Sequence, residues 1–394
     1  MTGDGVLRVV QAAPIVDHHA HSVVGEVSGR AAFEGFLSES GEPPPPGCSN
    51  FDSFLGMAVL RTCGPLLDLP PSTGAGEYLE RRRELGGTEV NRRLLGASRL
   101  SALLVDPGYR AGELVDLARL SALADAPVCR LARLEQVAED LAAEGTGAGD
   151  FADAFADRLR VELSGPGAAV GCKSVLAYRD GLDVDPTEPG RDEVAAAAGR
   201  WLAAGWDAGG PRITDPVLLR HLVWTALRAG VPLQLHTGYG DRDLDLARSD
   251  PALLTGLIRL ASPLGTPIVL LHCYPYHRQA AYLAGVYPHV YFDVGLALNY
   301  VGHRASGVLA EALECAPVHK MLYSSDAFGL AELHALAAIR FREALAEVLE
   351  PLRSREQRSE RDVARLATLV CAGNARRIYR LPEPAPGAGV TFDA

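Results

Sequence analysis

Four stretches of this chain carry residues that bind metals, each at the end of an apolar run. Ile15-Val16-Asp17-His18-His19-Ala20-His21 sets two histidines two residues apart. On an extended strand such a pair points to one side, and His18 points to the other. Leu233-Gln234-Leu235-His236, Val269-Leu270-Leu271-His272 and Leu322-Tyr323-Ser324-Ser325-Asp326 each close on an imidazole or a carboxylate. Nitrogen and oxygen donors of this kind suit Zn²⁺, Mn²⁺ or Fe²⁺. A single histidine is more often a hydrogen-bonded structural residue, but here four separate runs deliver ligand types. His221, His277, His289, His303, His319 and His334 fall mostly on helical patterns or at opposite strand ends, and read as structural or exposed.

Eight short β-branched or apolar runs would position these residues: 14–19, 102–106, 128–133, 169–177, 231–236, 267–272, 289–294 and 321–326. Several, such as Pro267-Ile-Val-Leu-Leu-His272, are continuously apolar, the pattern of strands covered on both faces in a parallel sheet. Amphipathic stretches alternate with them: 112–124, 134–143, 192–204, 216–229, 251–261, 278–287, 307–315 and 330–349. Eight βα units in order predict an α/β fold, a (β/α)8 TIM barrel, in which all strand C-termini meet at one rim. A single barrel over 1–380 is expected, with a Pro/Gly-rich tail at 381–394. The long gap at 22–100 predicts a helical insertion after strand 1, either a lid on the rim or an outer packing pair.

Composition narrows the class. The chain has 394 residues, 48% hydrophobic and 22% charged, enough for a large core and against global disorder. A net charge of −11 argues against nucleic acid or an anionic membrane as partner. No apolar run reaches the roughly 18 residues of a bilayer span, and the start lacks a secretory pattern, so a cytoplasmic enzyme is expected. The seven cysteines form no C-x-x-C pair and read as reduced thiols. Only Lys173 and Lys320 are lysines among 38 basic residues, so a lysine here marks a place where guanidinium does not substitute. Gly238-Tyr239-Gly240 lacks the third glycine of a dinucleotide loop, and neither a P-loop nor a Gly-x-Ser-x-Gly elbow is present.

The set Asp17-x-His19-x-His21 with His236, His272 and Asp326 resembles the amidohydrolase superfamily, in its amidohydrolase-2 branch. Three further stretches are similar to the amidohydrolase domain at the N-terminus of some glutamine synthetase-like fusion proteins. They are Gly171-Cys172-Lys173-Ser174 with Tyr178-Arg179-Asp180-Gly181-Leu182, His236-Thr237-Gly238-Tyr239-Gly240-Asp241, and Leu271-His272-Cys273-Tyr274-Pro275-Tyr276. Asn374-Ala375-x-Arg377-Ile378-Tyr379 is similar to the family's last helix. The resemblance runs nearly the whole chain, loosely over 40–100, and no synthetase domain follows, so a stand-alone version is expected.

This resemblance implies that His19, His21 and His236 ligate a divalent metal, zinc first and manganese or iron as alternatives. Asp326 would be a fourth ligand and take a proton from metal-bound water, whose pKa falls from about 15.7 to about 7. His272 would act on the substrate as an electrophilic or acid/base partner. Lys173, if carbamylated, would bridge a second ion; one ion is favoured, with Lys173 otherwise a catalytic cation. Arg179 and Tyr239 are the substrate-binding candidates, Arg179 through a bidentate carboxylate clamp; a salt bridge is its alternative. Asp17 would orient the first-strand ligands from behind them, or serve the barrel floor. The function read from these residues is hydrolysis of an amide or related C–N bond in a small carboxylated metabolite, by an enzyme expected to be a homo-oligomer. Non-hydrolytic decarboxylation with the same ligands, and a catalytically silent regulatory or binding homologue, remain the alternatives.

Overall fold

A computed structural model describes residues 4–40, 42–206 and 209–382. They divide into two compact units: one drawn from Met1–Val105, Tyr109–Val128 and Asp293–Ala394, the other from Asp106–Gly108 and Cys129–Phe292.

The first unit contains β1 (Ile15–Ala20) and β2 (Leu100–Val105), paired in parallel with Asp17 opposite Leu103. All six residues of β1 are buried, as expected for a strand covered on both faces. Residues 321–326, expected as the eighth strand, form no regular strand. They nevertheless run beside β1: His18 N–H donates to Tyr323 O at 3.1 Å and Asp326 N–H to His19 O at 3.0 Å. Asp326 itself adopts a left-handed φ of 49°, which ends the extended run where the carboxylate emerges. Helices Arg30–Gly35, Phe54–Cys63, Ala75–Leu85 and Gly87–Ser98 occupy the long gap between β1 and β2. Phe54–Cys63 and Gly87–Ser98 pack on the 24-residue helix Ala331–Ser354. Glu332, at the start of that helix, accepts from Tyr78 Oη at 2.9 Å and Arg82 Nε at 2.5 Å, so a buried ion pair ties helix Ala75–Leu85 to it.

The second unit holds a parallel series with helices between its strands: β3 (Val128–Arg133), β4 (Gly171–Ser174), β5 (Leu233–Thr237), β6 (Ile268–His272) and β7 (Val290–Phe292). The boundaries have local causes. Helix Pro216–Ala229 begins with Asp215 accepting from the Val217 and Leu218 amides and with proline in its first turn. It ends at Gly230, in the left-handed region at φ 73°. The helix Phe151–Glu162, between β3 and β4, lies outside the eight anticipated stretches. No helix among the described residues is long and apolar enough to cross a membrane. The tail expected at 381–394 lies outside the described residues beyond Pro382.

Candidate metal centre

In the first unit, His19 Nε2 lies 3.1 Å from Asp326 Oδ1 and His21 Nε2 lies 3.6 Å from the same oxygen. Their rings stand edge to face, centroids 5.5 Å apart at 82°. Both histidines are buried, at 0% and 8% exposure. The spacing suits a shared ion. Ligands at about 2.0–2.2 Å from a metal lie roughly 3–3.6 Å from one another in octahedral or tetrahedral shells. Two imidazole nitrogens thus approach one carboxylate oxygen, donor types that suit a divalent cation.

Behind this trio, Asp17 accepts Ser325 N–H at 3.0 Å and Ser325 Oγ–H at 2.6 Å. Burial raises the Asp17 carboxyl to about 7, against the lowering pull of both Ser325 bonds. Ser325 thus ties β1 to the segment that carries Asp326. His18 points away from the trio, as the alternation predicts, with its Nε2 2.9 Å from Asp293 Oδ2.

Three residues around His21 did not stand out in the sequence. The Tyr109 and Phe328 rings each lie 5.8 Å from it and form an aromatic wall. His334, on the long helix, is wholly buried and lies against His21. Burial, with a smaller push from His21, lowers it to about 3, which keeps it neutral.

In the second unit, His236 on β5 and His272 at the end of β6 have ring centroids 4.6 Å apart. Register alone would not join them. His236 pairs with Leu271, and His272 pairs with Thr237 on the opposite alternation. The backbone resolves this: His272 takes φ 69° and Cys273 φ 55°, a left-handed turn that breaks the alternation. Lys173 on β4 is buried and pairs with Gln234, so it shares the face that His236 occupies two residues further along. Tyr178, absent from the expected site, lies 4.6 Å ring to ring from His236.

Gly238-Tyr239-Gly240 has a steric purpose. A Cβ on Gly238, at φ 65°, would collide with the Cys273–Tyr274 backbone. A Cβ on Gly240 would lie 2.9 Å from His236 Nε2 and run into the Tyr178 hydroxyl. The backbone therefore closes on the imidazole as only glycine permits. Tyr239, half-buried, donates its N–H to Tyr274 O at 2.5 Å.

Arg179 meets a carboxylate inside the protein. Its Nη1 is 2.9 Å from Glu139 Oε1, with the two side chains 9% and 12% exposed. Burial lowers its guanidinium, and Glu139 and Glu135 partly offset that shift. Glu135, fully buried and also missed, accepts Ser174 Oγ–H at 2.6 Å and Val175 N–H at 3.0 Å just past Lys173.

A family model described as Amidohydrolase matches residues 130–381, and this chain belongs to that family. Protein fluG of Emericella nidulans is 29% identical over 419 aligned residues, covering 98% of this chain and 48% of fluG. The chain thus spans about half the length of that curated relative. A crystal structure from Lactobacillus casei, assigned as a metal-dependent hydrolase, superposes with a TM-score of 0.84 at 28% identity, covering 95% of this chain and 97% of that one. A uronate isomerase from Bacillus halodurans gives 0.67 at 16% identity, with 97% and 96% covered, a likeness of fold. The chain accordingly has the parallel, barrel-like α/β fold of the amidohydrolases. That fold serves more than one reaction.

Proposed function

We propose that this chain is a hydrolase that uses one divalent ion to cleave an amide or related C–N bond in a small carboxylated metabolite. His19, His21 and His236 would hold the ion and Asp326 would complete the set. Zinc is the first expectation, and manganese or iron suit the same donors. The observation that carries the reading is the approach of His19 Nε2 and His21 Nε2 to one Asp326 oxygen, at 3.1 and 3.6 Å. When bound, the ion supplies Lewis acidity and brings the pKa of water toward about 7.

The chain's own groups divide the remaining work. Asp326 accepts a proton from the attacking water and returns it to the departing nitrogen. His272 donates toward the carbonyl oxygen as negative charge develops there. Lys173 supplies a buried cation to the substrate; as a carbamate it would bridge a second ion. Arg179 reaches a substrate carboxylate only in competition with Glu139, and Tyr239 flanks the substrate beside Gly240. Asp17, held by Ser325, keeps Asp326 in place. Closure of the fold as eight βα units with 321–326 as the eighth, a homo-oligomeric state, and a small-molecule partner rather than nucleic acid or membrane belong to the same reading.

Metal-reconstituted protein screened against γ-glutamyl and N-acyl amino acids, with amine release as readout, tests it. Amine release that Asp326→Asn abolishes supports hydrolysis. Carbon dioxide release without amine would replace hydrolysis by decarboxylation. Metal-loaded protein inert in both assays would favour a binding role.

A further inference from the structure

A cleft within the first unit is lined by none of the candidate metal ligands. Helices Phe54–Cys63 and Ala331–Ser354 each turn a stripe of helical period toward it: Phe54, Ala58 and Arg61 on one, Arg340, Ala344 and Glu347 on the other. Stripes at this spacing are how one helix packs against another. Here the middle of each stripe is alanine, and a cleft of about 440 Å³ remains between them. Phe54 is 58% exposed at its edge and lies edge to face with His303, which lines the third side.

The charges in this cleft are unusual for the chain. Its arginines generally pair with carboxylates, as at Arg81, Arg82, Arg93, Arg130, Arg133 and Arg179. Among the described residues, no ion pair involves Arg61, Arg340, Glu343 or Glu347, although all four line one cleft. Arg340 spends Nη1 on the carbonyls of Leu298 and Asn299, at 3.2 and 2.8 Å. Burial lowers its guanidinium; Arg61 adds to that shift and Glu343 opposes it. Arg340 therefore lies near Arg61 and, on its own helix, near Glu343 as well. Glu343 and Glu347 lie about 4.5 and 10 Å further along the helix, at about 1.5 Å per residue.

We propose that this cleft binds a small dipolar molecule, its carboxylate against Arg61 and Arg340 and its amine cation against Glu343 and Glu347. A guanidinium pair recognises a carboxylate through charge-assisted hydrogen bonds, while the two glutamates repel a ligand that carries only negative charge. The apolar wall of Phe54, Ala58 and Ala344 takes the stem between the charged ends. A charge separation of roughly 5–10 Å, set by the helix rise, selects an ω-amino acid over an α-amino acid.

The test is calorimetric titration of the metal-loaded full chain with 6-aminohexanoate, and with hexanoate and hexylamine as its two halves. The zwitterion should bind, and each half should bind about tenfold or more weakly, since each leaves one pair of charges unmatched. Arg61→Met and Glu347→Gln should each weaken the zwitterion about tenfold without lowering the melting temperature. His272→Asn should leave its affinity unchanged. Absence of binding, equal binding of hexanoate, or undiminished binding in both cleft variants would overturn the proposal. So would binding lost in His272→Asn but kept in Arg61→Met.

Discussion

His19 lies on β1 and His21 one residue past its end, whereas His236 and His272 come from neighbouring strands whose register sets them on opposite faces. The first pair needs only a strand, and a hydrogen-bonded carboxylate behind it, to converge. The second pair needs a left-handed turn at His272 and two glycines that let the 238–240 backbone close on Tyr274 and His236. Spacing encodes one pair; tertiary contact encodes the other. Substitutions around the first pair should therefore act through donor chemistry, and around the second through shape as well.

The largest effect should come from Asp326→Asn, which preserves an oxygen donor but removes the base. We expect most of the metal to remain while kcat falls about 10²–10⁴-fold. His272→Asn should lower kcat with metal content unchanged; loss of metal in that variant, with Asp326→Asn keeping both metal and rate, would exchange the two roles. Lys173→Arg comes next. The buried position and the bulk of guanidinium predict a loss of about 10–100-fold in kcat with the fold retained, checked by kinetics beside circular dichroism. Wild-type behaviour would reduce Lys173 to an ordinary cation.

Gly240→Ala sharpens the comparison most specifically, since its added methyl meets His236 and Tyr178. About a tenfold fall in kcat/KM is expected from displacing one imidazole, measured against Gly265→Ala, a surface position at φ 64° with no atom within 4 Å of the added carbon. Equal kinetics in the two variants would mean that the close approach at Gly240 has no bearing on the site. The smallest effect belongs to Ser325→Ala. It deletes one of two bonds to buried Asp17 and should cost about 1–2 kcal/mol of stability, read from denaturant unfolding. An unchanged midpoint would remove Ser325 from the support of Asp326.

Much of this architecture was legible because hydrophobic period survives into structure. The stretches 134–143 and 216–229 form helices with the expected bounds, and seven of the eight expected runs form strands. The eighth, 321–326, has the composition of a strand but only part of its hydrogen bonding, as its backbone turns left-handed at Asp326. Helix Phe151–Glu162 escaped notice because it buries only Phe151, Phe155 and Leu159, a narrow stripe four residues apart. At the site, the ligand-type residues showed in the sequence because each ends an apolar run. Glu135, Tyr178, Ser325 and His334 did not, since each acts through a partner distant in sequence or through burial alone. In the sequence, Gly238-Tyr239-Gly240 reads as a failed nucleotide loop, a family-like stretch and a place for the substrate candidate Tyr239; the steric role of its glycines depends on Tyr274 and Tyr178.

Metal content measured by elemental analysis of chelator-free protein tests the central claim most directly, with His19→Ala taken from the first histidine pair and His236→Ala from the second. The account predicts about one equivalent of a transition metal in the wild-type chain and loss of most of it in each variant, since deprotonated side-chain donors supply the binding energy. Full occupancy surviving both substitutions would contradict it.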